Sequence, residues 1–272
     1  LGTLKVNRSE LSDLEIGVQT SIGGGGQVDI NYNSLSRIGL PLSILNANQS
    51  TTILANKINF NDVDSYGASS GLGTTAIYVA STGASPNNNT TTIKNNTLTD
   101  GGLSASGTSI LVGQIEKAIT HKMAITGNTF RGISANTAGG GLVAIDTEDG
   151  VISGNTFLSA AGTWVDISSG DSSQGFVGRD VSGWAIIANE FSGSTASTDI
   201  SLGEGTSGII VGRSQGLPKV DDVTGKNDIL ESYTASTTAF AERPRSVRLA
   251  AAPTELFYQQ LLTLMRLDPL QD

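Results

Sequence analysis

Two aspartates in the same short phrase are the residues best placed for chemistry. Asp166 and Asp199 each begin the tripeptide Asp-Ile-Ser, and Trp164 lies two residues before the first. If Ile167 and Ile200 point into a core, strand alternation places both carboxyls on one outer face beside Trp164. Carboxyls about 5 Å apart suit a retaining glycosidase, and an aromatic face stacks on a sugar ring. The pattern predicts a sugar site with Asp166 and Asp199 as catalytic candidates and all three residues as ligand-binding candidates.

A structural role for the same residues is the competing interpretation. Matched residues arise in any repeat, so the two aspartates can equally be solvated residues at strand ends, with Trp164 lying under a loop. Asp146 and Asp180 form a second matched pair. Each precedes a turn, where an aspartate most often bonds the backbone, so this second pair is interpreted as structural.

The chain offers few other groups for metal or nucleophilic chemistry. It has no cysteine and a single histidine, His121, which argues against thiolate metal sites, cysteine nucleophiles and a Ser-His-Asp triad. The acidic run at 146–149 lacks the spacing of a known calcium loop. Calcium is therefore kept only as an alternative, and no other metal or cofactor is expected.

The element that must position these residues is a repeated strand. ITGNTF at 125–130 and ISGNTF at 152–157 share the pattern apolar-x-x-Asn-x-apolar, which recurs along the chain. An asparagine in such a turn tolerates a left-handed backbone, and amides in register can bond to one another as a ladder. The predicted ladder contains Asn33, Asn61, Asn96, Asn128, Asn155 and Asn189, with a degraded copy near Asn227.

Two further phrases recur out of phase with the first, and together they predict the architecture. One is an apolar pair followed by a small residue, and the other is an apolar residue followed by serine. Three strand-like phrases in each period of about 33 residues are typical of a stacked solenoid. The prediction is an all-β, single-stranded parallel β-helix of six or seven coils, on the order of 30 Å long at about 4.8 Å per coil.

The motifs ITGNTF, ISGNTF and IIANEF resemble those of right-handed parallel β-helix proteins of the pectate-lyase-like superfamily. The resemblance covers about residues 15 to 230. It implies a right-handed parallel β-helix, in a superfamily that includes polysaccharide lyases, glycoside hydrolases, epimerases, phage tailspikes and adhesins. The calcium-binding Asp clusters and lyase Arg signatures of that superfamily find no match here, so no catalytic residue is transferred.

The two ends of the chain are expected to differ from the repeat. Residues 1–230 are predicted to form the β-helix with an N-terminal cap, and Leu1 in place of Met indicates a processed or trimmed start. Residues 231–272 are predicted to form a linker and a helix that begins at Thr254 and ends at Asp268. Because this helix is apolar over more than one face, it serves either as a cap or as an oligomerisation or attachment segment.

Composition limits the partners of the protein. The formal net charge is −9, from 25 acidic and 16 basic residues, which argues against nucleic acids and anionic membranes. No apolar run is long enough to span a bilayer. The expected function is a non-catalytic structural, adhesive or glycan-binding module of a phage, virion or bacterial surface assembly. The alternative is a polysaccharide hydrolase or lyase with an acidic groove. Both imply an extracellular, cell-surface or virion location.

Overall fold

The computed structural model describes residues 2–21, 26–45, 50–62, 75–81, 90–102, 107–114, 120–132, 141–145, 147–158, 162–169, 181–193, 195–216 and 218–230. Every regular element within these ranges is a β-strand. In this part of the chain there is accordingly no helix capable of crossing a membrane. The predicted linker and C-terminal helix at 231–272 lie outside the described residues.

The strands are short, and most of them alternate buried and more exposed side chains, as half-buried strands do. In chain order they are β1 (Thr3–Asn7), β2 (Glu10–Ser21), β3 (Gln27–Asn31), β4 (Ser34–Leu45), β5 (Ser50–Leu54), β6 (Lys57–Phe60), β7 (Thr75–Ser81), β8 (Thr91–Lys94), β9 (Thr97–Asp100), β10 (Thr108–Gln114), β11 (Thr120–Thr126), β12 (Thr129–Arg131), β13 (Leu142–Ile145), β14 (Thr147–Ser153), β15 (Thr156–Leu158), β16 (Val165–Ser168), β17 (Trp184–Ile187), β18 (Glu190–Ser192), β19 (Ile200–Leu202), β20 (Ile210–Val211), β21 (Val220–Asp222) and β22 (Asp228–Ile229).

The strands form two sheets in which the paired strands run parallel. The first sheet has nine strands in the order β1-β3-β5-β8-β11-β14-β17-β20-β22. The second has thirteen, and its long strand β4 joins two wings. The start of β4 pairs with β6 in the wing β6-β9-β12-β15-β18, and its end pairs with β7 in the wing β7-β10-β13-β16-β19-β21. Strand β2 lies off this path and pairs with β4.

The prediction of an all-β fold with parallel sheets is confirmed for the described residues. Six or seven coils would place six or seven strands in a sheet, whereas the first sheet contains nine. Equivalent turns are only 24, 23 and 25 residues apart near the two ends, whereas one interval in between reaches 40 residues. A search for a period of about 33 residues therefore misses the short repeats.

Aromatic side chains fill the interior at the C-terminal half of the described residues. Phe157 is stacked between Phe130 and Phe191, with ring centroids 4.6 and 4.9 Å apart. Trp184 is fully buried, which confirms its predicted place in the core. Its ring lies against Gly150, where an added Cβ would come within 2.3 Å of the ring atoms. The Trp184 indole N–H donates to the hydroxyl of Thr147 at 3.1 Å, so its one polar atom is satisfied.

Candidate functional site

Buried asparagines occupy six of the turns that join a first-sheet strand to the following strand of the second sheet. The side-chain amide nitrogen of each one donates to the side-chain oxygen of the next, at 2.9–3.0 Å. We call this set the asparagine ladder. Its members are Asn33, Asn56, Asn96, Asn128, Asn155 and Asn189.

The hydrogen bonds of the asparagine ladder are complete at its inner members. Asn155 illustrates the pattern, since its oxygen accepts from both the backbone and the side-chain nitrogen of Asn128. Its amide nitrogen donates to the oxygen of Asn189 at 3.0 Å and to the Ile125 carbonyl at 2.8 Å. Because every polar atom of the buried amide has a partner, the ladder avoids the cost of unsatisfied groups.

Serines stand at both ends of the asparagine ladder. The backbone nitrogen of Ser9 donates to the Asn33 side chain at 2.9 Å. At the other end, the backbone nitrogen of Asn189 donates to the Ser214 hydroxyl at 3.3 Å. A hydroxyl accepts this bond but is too short to extend the chain of amides, so the ladder ends there.

The predicted ladder was correct at five of its six positions and wrong at Asn61. Asn56 takes that place, while the Asn61 amide is buried and donates to the Asp100 carboxylate at 2.6 Å. Asn227, predicted as a degraded copy, bonds instead to the side chain of Asp222 at 2.8 Å. Both ILANKI and INFNDV fit the apolar-x-x-Asn-x-apolar pattern, so the sequence alone did not separate Asn56 from Asn61.

The left-handed residue of the turn was also misplaced. It is the residue before each ladder asparagine that has a positive φ, as at Ala55 (54°), Gly127 (63°) and Gly154 (61°). Glycine adopts this conformation without steric cost, which explains the Gly-Asn pairs. The ladder asparagine follows this left-handed residue, and its side chain makes the hydrogen bonds to the neighbouring repeats.

The two candidate catalytic aspartates do not lie side by side. In the register of β16 and β19, Asp166 is opposite Ser201 and Ile167 is opposite Leu202. The Asp-Ile-Ser phrases are therefore displaced by two residues, and the predicted carboxylate column of Asp166 and Asp199 is wrong. A displacement of two preserves the alternation of faces, which explains why Ile167 and Ile200 are both buried as predicted.

Trp164 is buried, so the prediction that it is exposed beside Asp166 is wrong. The backbone nitrogens of Trp164 and Val165 both donate to the Asp199 carbonyl, at 3.0 and 3.1 Å. Two residues facing one is the pattern of a β-bulge, which breaks strand alternation. Trp164 therefore turns inward, where its ring lies 5.4 Å from that of Phe157.

Asp199 is buried at the equivalent bulge of the next repeat. The backbone nitrogens of Asp199 and Ile200 both donate to the Lys219 carbonyl, and one carboxylate oxygen of Asp199 accepts from the Lys219 backbone nitrogen at 2.8 Å. Its other oxygen and the Trp164 indole nitrogen have no hydrogen-bond partner among the described residues. A buried carboxylate in this position holds the bulge and is not accessible to a polysaccharide.

Asp166 lies on the outer face of its sheet, where its neighbours across the strands are Ser201 and Asp221 and not Asp199. Burial raises the pKa of the Asp166 carboxyl, and a hydrogen bond from the Ser201 hydroxyl partly opposes this. Ser201 is in turn opposite the exposed Asp221 of β21. Asp166 and Asp221 are thus two strand spacings apart on one column, about 9–10 Å.

A turn near the end of the described residues uses its polar groups internally. The Asp222 carboxylate accepts bonds from the backbone of Thr224 and Gly225 and from the side chain of Asn227. Although partial burial raises the pKa of Asp222, hydrogen bonds from Asn227 and Thr224 hold it below the ordinary range. Across the described ranges, no three His, Asp or Glu side chains converge as metal ligands. Asp146 and Asp180, and the side chain of His121, lie outside the described residues, so calcium at 146–149 stays a prediction.

An open depression lies on the outer side of the last described ladder turns, and sequence reasoning did not find it. Its volume is about 470 Å³. It is lined by small residues before two of the ladder positions and by polar residues around them, and we call it the turn depression. The lining residues are Gly154, Asn155, Thr156, Ala188, Asn189, Glu190, Arg213, Ser214 and Gln215. The residues on either side of each ladder position differ from one repeat to the next, and this variation was the sequence feature that could have indicated the depression.

Comparison of the chain with protein-family models, with curated proteins and with solved structures finds no match.

Proposed function

We propose that this chain is a right-handed parallel β-helix that serves as a non-catalytic structural and glycan-binding module on an extracellular, cell or virion surface. The observation that supports it most is the use of the repeated residues. The phrase that recurs along the chain supplies the buried asparagine ladder, whose amides bond repeat to repeat. The repeated asparagines therefore serve to join each repeat to the next, which is a structural role.

The handedness of the proposal rests on a general rule of chain connections. Strands paired in parallel within one sheet require crossover connections, and these are right-handed in about 98% of cases. Consecutive strands of the first sheet, such as β8, β11 and β14, pair in parallel and are separated by strands of the second sheet. A right-handed coil with three strands per turn satisfies both features.

The glycan-binding part of the proposal rests on the outer surface of the turns. Outward positions carry hydroxyl and amide side chains, such as the register-matched Thr97, Thr129 and Thr156. These hydroxyl and amide groups donate hydrogen bonds to sugar hydroxyls and accept bonds from them. Because the groups are neutral, removing water from them on binding costs less than it does for a charged side chain.

The test is binding without cleavage. The whole chain is run in native gels that contain soluble neutral polysaccharides, with alginate as the anionic member, and the same polymers are assayed for new reducing ends. We expect slower migration in at least one neutral polysaccharide and no new reducing ends. Cleavage of any polymer, or migration unchanged in all of them, overturns the proposal.

One observation favours a second function, a polysaccharide hydrolase. Asp166, with its raised pKa, and the exposed Asp221 lie two strands apart on one outer column. Inverting glycosidases use an acid and a base about 6.5–9.5 Å apart. Reducing ends that appear with the wild type and disappear in both Asp166→Asn and Asp221→Asn would establish the hydrolase. Their absence from the wild type removes it.

A further inference from the structure

The turn depression is lined by two small residues and by several polar side chains. The small residues are Gly154 and Ala188, which precede two ladder asparagines and both have a positive φ. In an earlier repeat the equivalent position holds Tyr32, whose side chain is 56% exposed and stands above the surface. The small residues therefore create space for a ligand at the last ladder turns, where a ring can approach the backbone.

The walls of the turn depression carry both donors and acceptors. Glu190 is exposed, and one of its oxygens accepts a bond from the Thr156 hydroxyl at 3.4 Å. Arg213 and Gln215 are exposed on the neighbouring repeat, and Gln215 forms a β-bridge with Glu190. A guanidinium, a carboxylate and an amide are planar groups that bond two adjacent hydroxyls at once.

We propose that the turn depression is a binding site for one unit of a neutral saccharide chain. Adjacent ring hydroxyls bond to Glu190, Arg213 and Gln215, and the ring lies over Ala188. This inference rests on the proposed glycan-binding function and names the place on the protein where it occurs.

Size and charge favour a neutral sugar over other ligands. The volume of about 470 Å³ lies in the range of about 300–1,000 Å³ typical of small-molecule sites. The single carboxylate of Glu190 and the single guanidinium of Arg213 balance each other, so neither an anionic nor a cationic ligand is favoured.

The chain provides matched controls for the experiment. Arg8 precedes Ser9 at the first end of the ladder as Arg213 precedes Ser214 at the other, and both arginines are exposed. Lys57 is the exposed first residue of β6, as Glu190 is of β18. Arg213→Ala and Glu190→Ala therefore change the site. Arg8→Ala makes the same change as Arg213→Ala outside it, and Lys57→Ala removes a charged side chain at the position equivalent to Glu190.

The experiment is affinity electrophoresis of the full chain and its variants in xylan, galactomannan and hydroxyethyl cellulose, with melting curves to verify folding. We expect Arg213→Ala and Glu190→Ala to weaken binding about tenfold or more, as for a lost hydrogen bond to a charged group. Arg8→Ala and Lys57→Ala should bind like the wild type.

A failure of the proposed site and a failure of the proposed glycan-binding function give different results in this experiment. If the wild type binds and all four variants bind equally, the sugar lies elsewhere, and only this inference is overturned. The same holds if the control variants weaken binding as much as the site variants. If the wild type binds no polymer, the proposed glycan-binding function fails, and the site fails with it.

Discussion

Replacing Asn155 by leucine tests the energetic role of the asparagine ladder. The Asn155 side chain is 1% exposed, and it makes four hydrogen bonds to Asn128, Ile125 and Asn189. Leucine has a similar volume but no polar atoms. Asn155→Leu therefore removes all four bonds and leaves the groups that made them in a buried turn.

The size of the effect follows from the number of groups left without a partner. The Asn128 backbone N–H and one N–H of the Asn128 amide lose the acceptor supplied by Asn155, and the Ile125 carbonyl loses a donor. The Asn128 amide keeps its other bond, to the Ile93 carbonyl. A buried unsatisfied group costs about 1–3 kcal/mol, so three groups cost about 3 kcal/mol even at the low end. In a chain of this size, 1 kcal/mol lowers the Tm by about 2–4 °C, so we expect a fall of about 6–12 °C.

The assay is thermal unfolding followed by far-ultraviolet circular dichroism. The control is Asn59→Leu, the same substitution at an exposed position in β6, which we expect to change stability by less than about 0.5 kcal/mol. Equal melting temperatures for Asn155→Leu and Asn59→Leu would refute the ladder as a source of stability.

Three further predictions follow from the core and from Asp166. Gly150→Ala should destabilise the protein by about 1–3 kcal/mol, because the new Cβ overlaps the Trp184 ring, and denaturant titration measures the loss. Trp164 and Trp184 are both buried, so acrylamide should quench native fluorescence weakly and unfolded fluorescence strongly, whereas strong native quenching would place Trp164 on the surface. Burial raises the pKa of Asp166 above its ordinary value of 3.8, so its contribution to stability is present below that value and lost as pH rises through the folded pKa. The Tm of Asp166→Asn relative to wild type should therefore increase from about pH 3 to about pH 7, and a constant difference would contradict the raised pKa.

The parallel all-β architecture was accessible from the sequence because it depends on side-chain alternation and on a repeated turn. The turns at Asn128 and Asn155 can be recognised from the sequence, because each asparagine follows a glycine and glycine readily adopts the left-handed conformation. Asn56 was missed because Asn61, five residues later, fits the same apolar-x-x-Asn-x-apolar pattern. Only the bonds across repeats distinguish Asn56 from Asn61.

The site could not be predicted because alignment of phrases does not give the register of strands. The β-bulges at Trp164 and Asp199 insert residues that alternation does not anticipate, and they turn both side chains inward. The Asp-Ile-Ser phrases therefore match in sequence but not in space. The turn depression arises from three neighbouring repeats together, so no single motif contains it.

A disulfide placed across two repeats tests the parallel register most directly. Thr129 of β12 is opposite Thr156 of β15, and the chain has no native cysteine to interfere. Adjacent strands are about 4.8 Å apart, within disulfide reach, whereas Leu158 is displaced by two residues along the strand and lies beyond the limit of about 7 Å. After mild oxidation, we expect a cross-linked peptide by mass spectrometry from Thr129→Cys with Thr156→Cys, and none from Thr129→Cys with Leu158→Cys. A cross-link only in the second pair, or in neither, would contradict the parallel register on which the ladder, the turn depression and the proposed function depend.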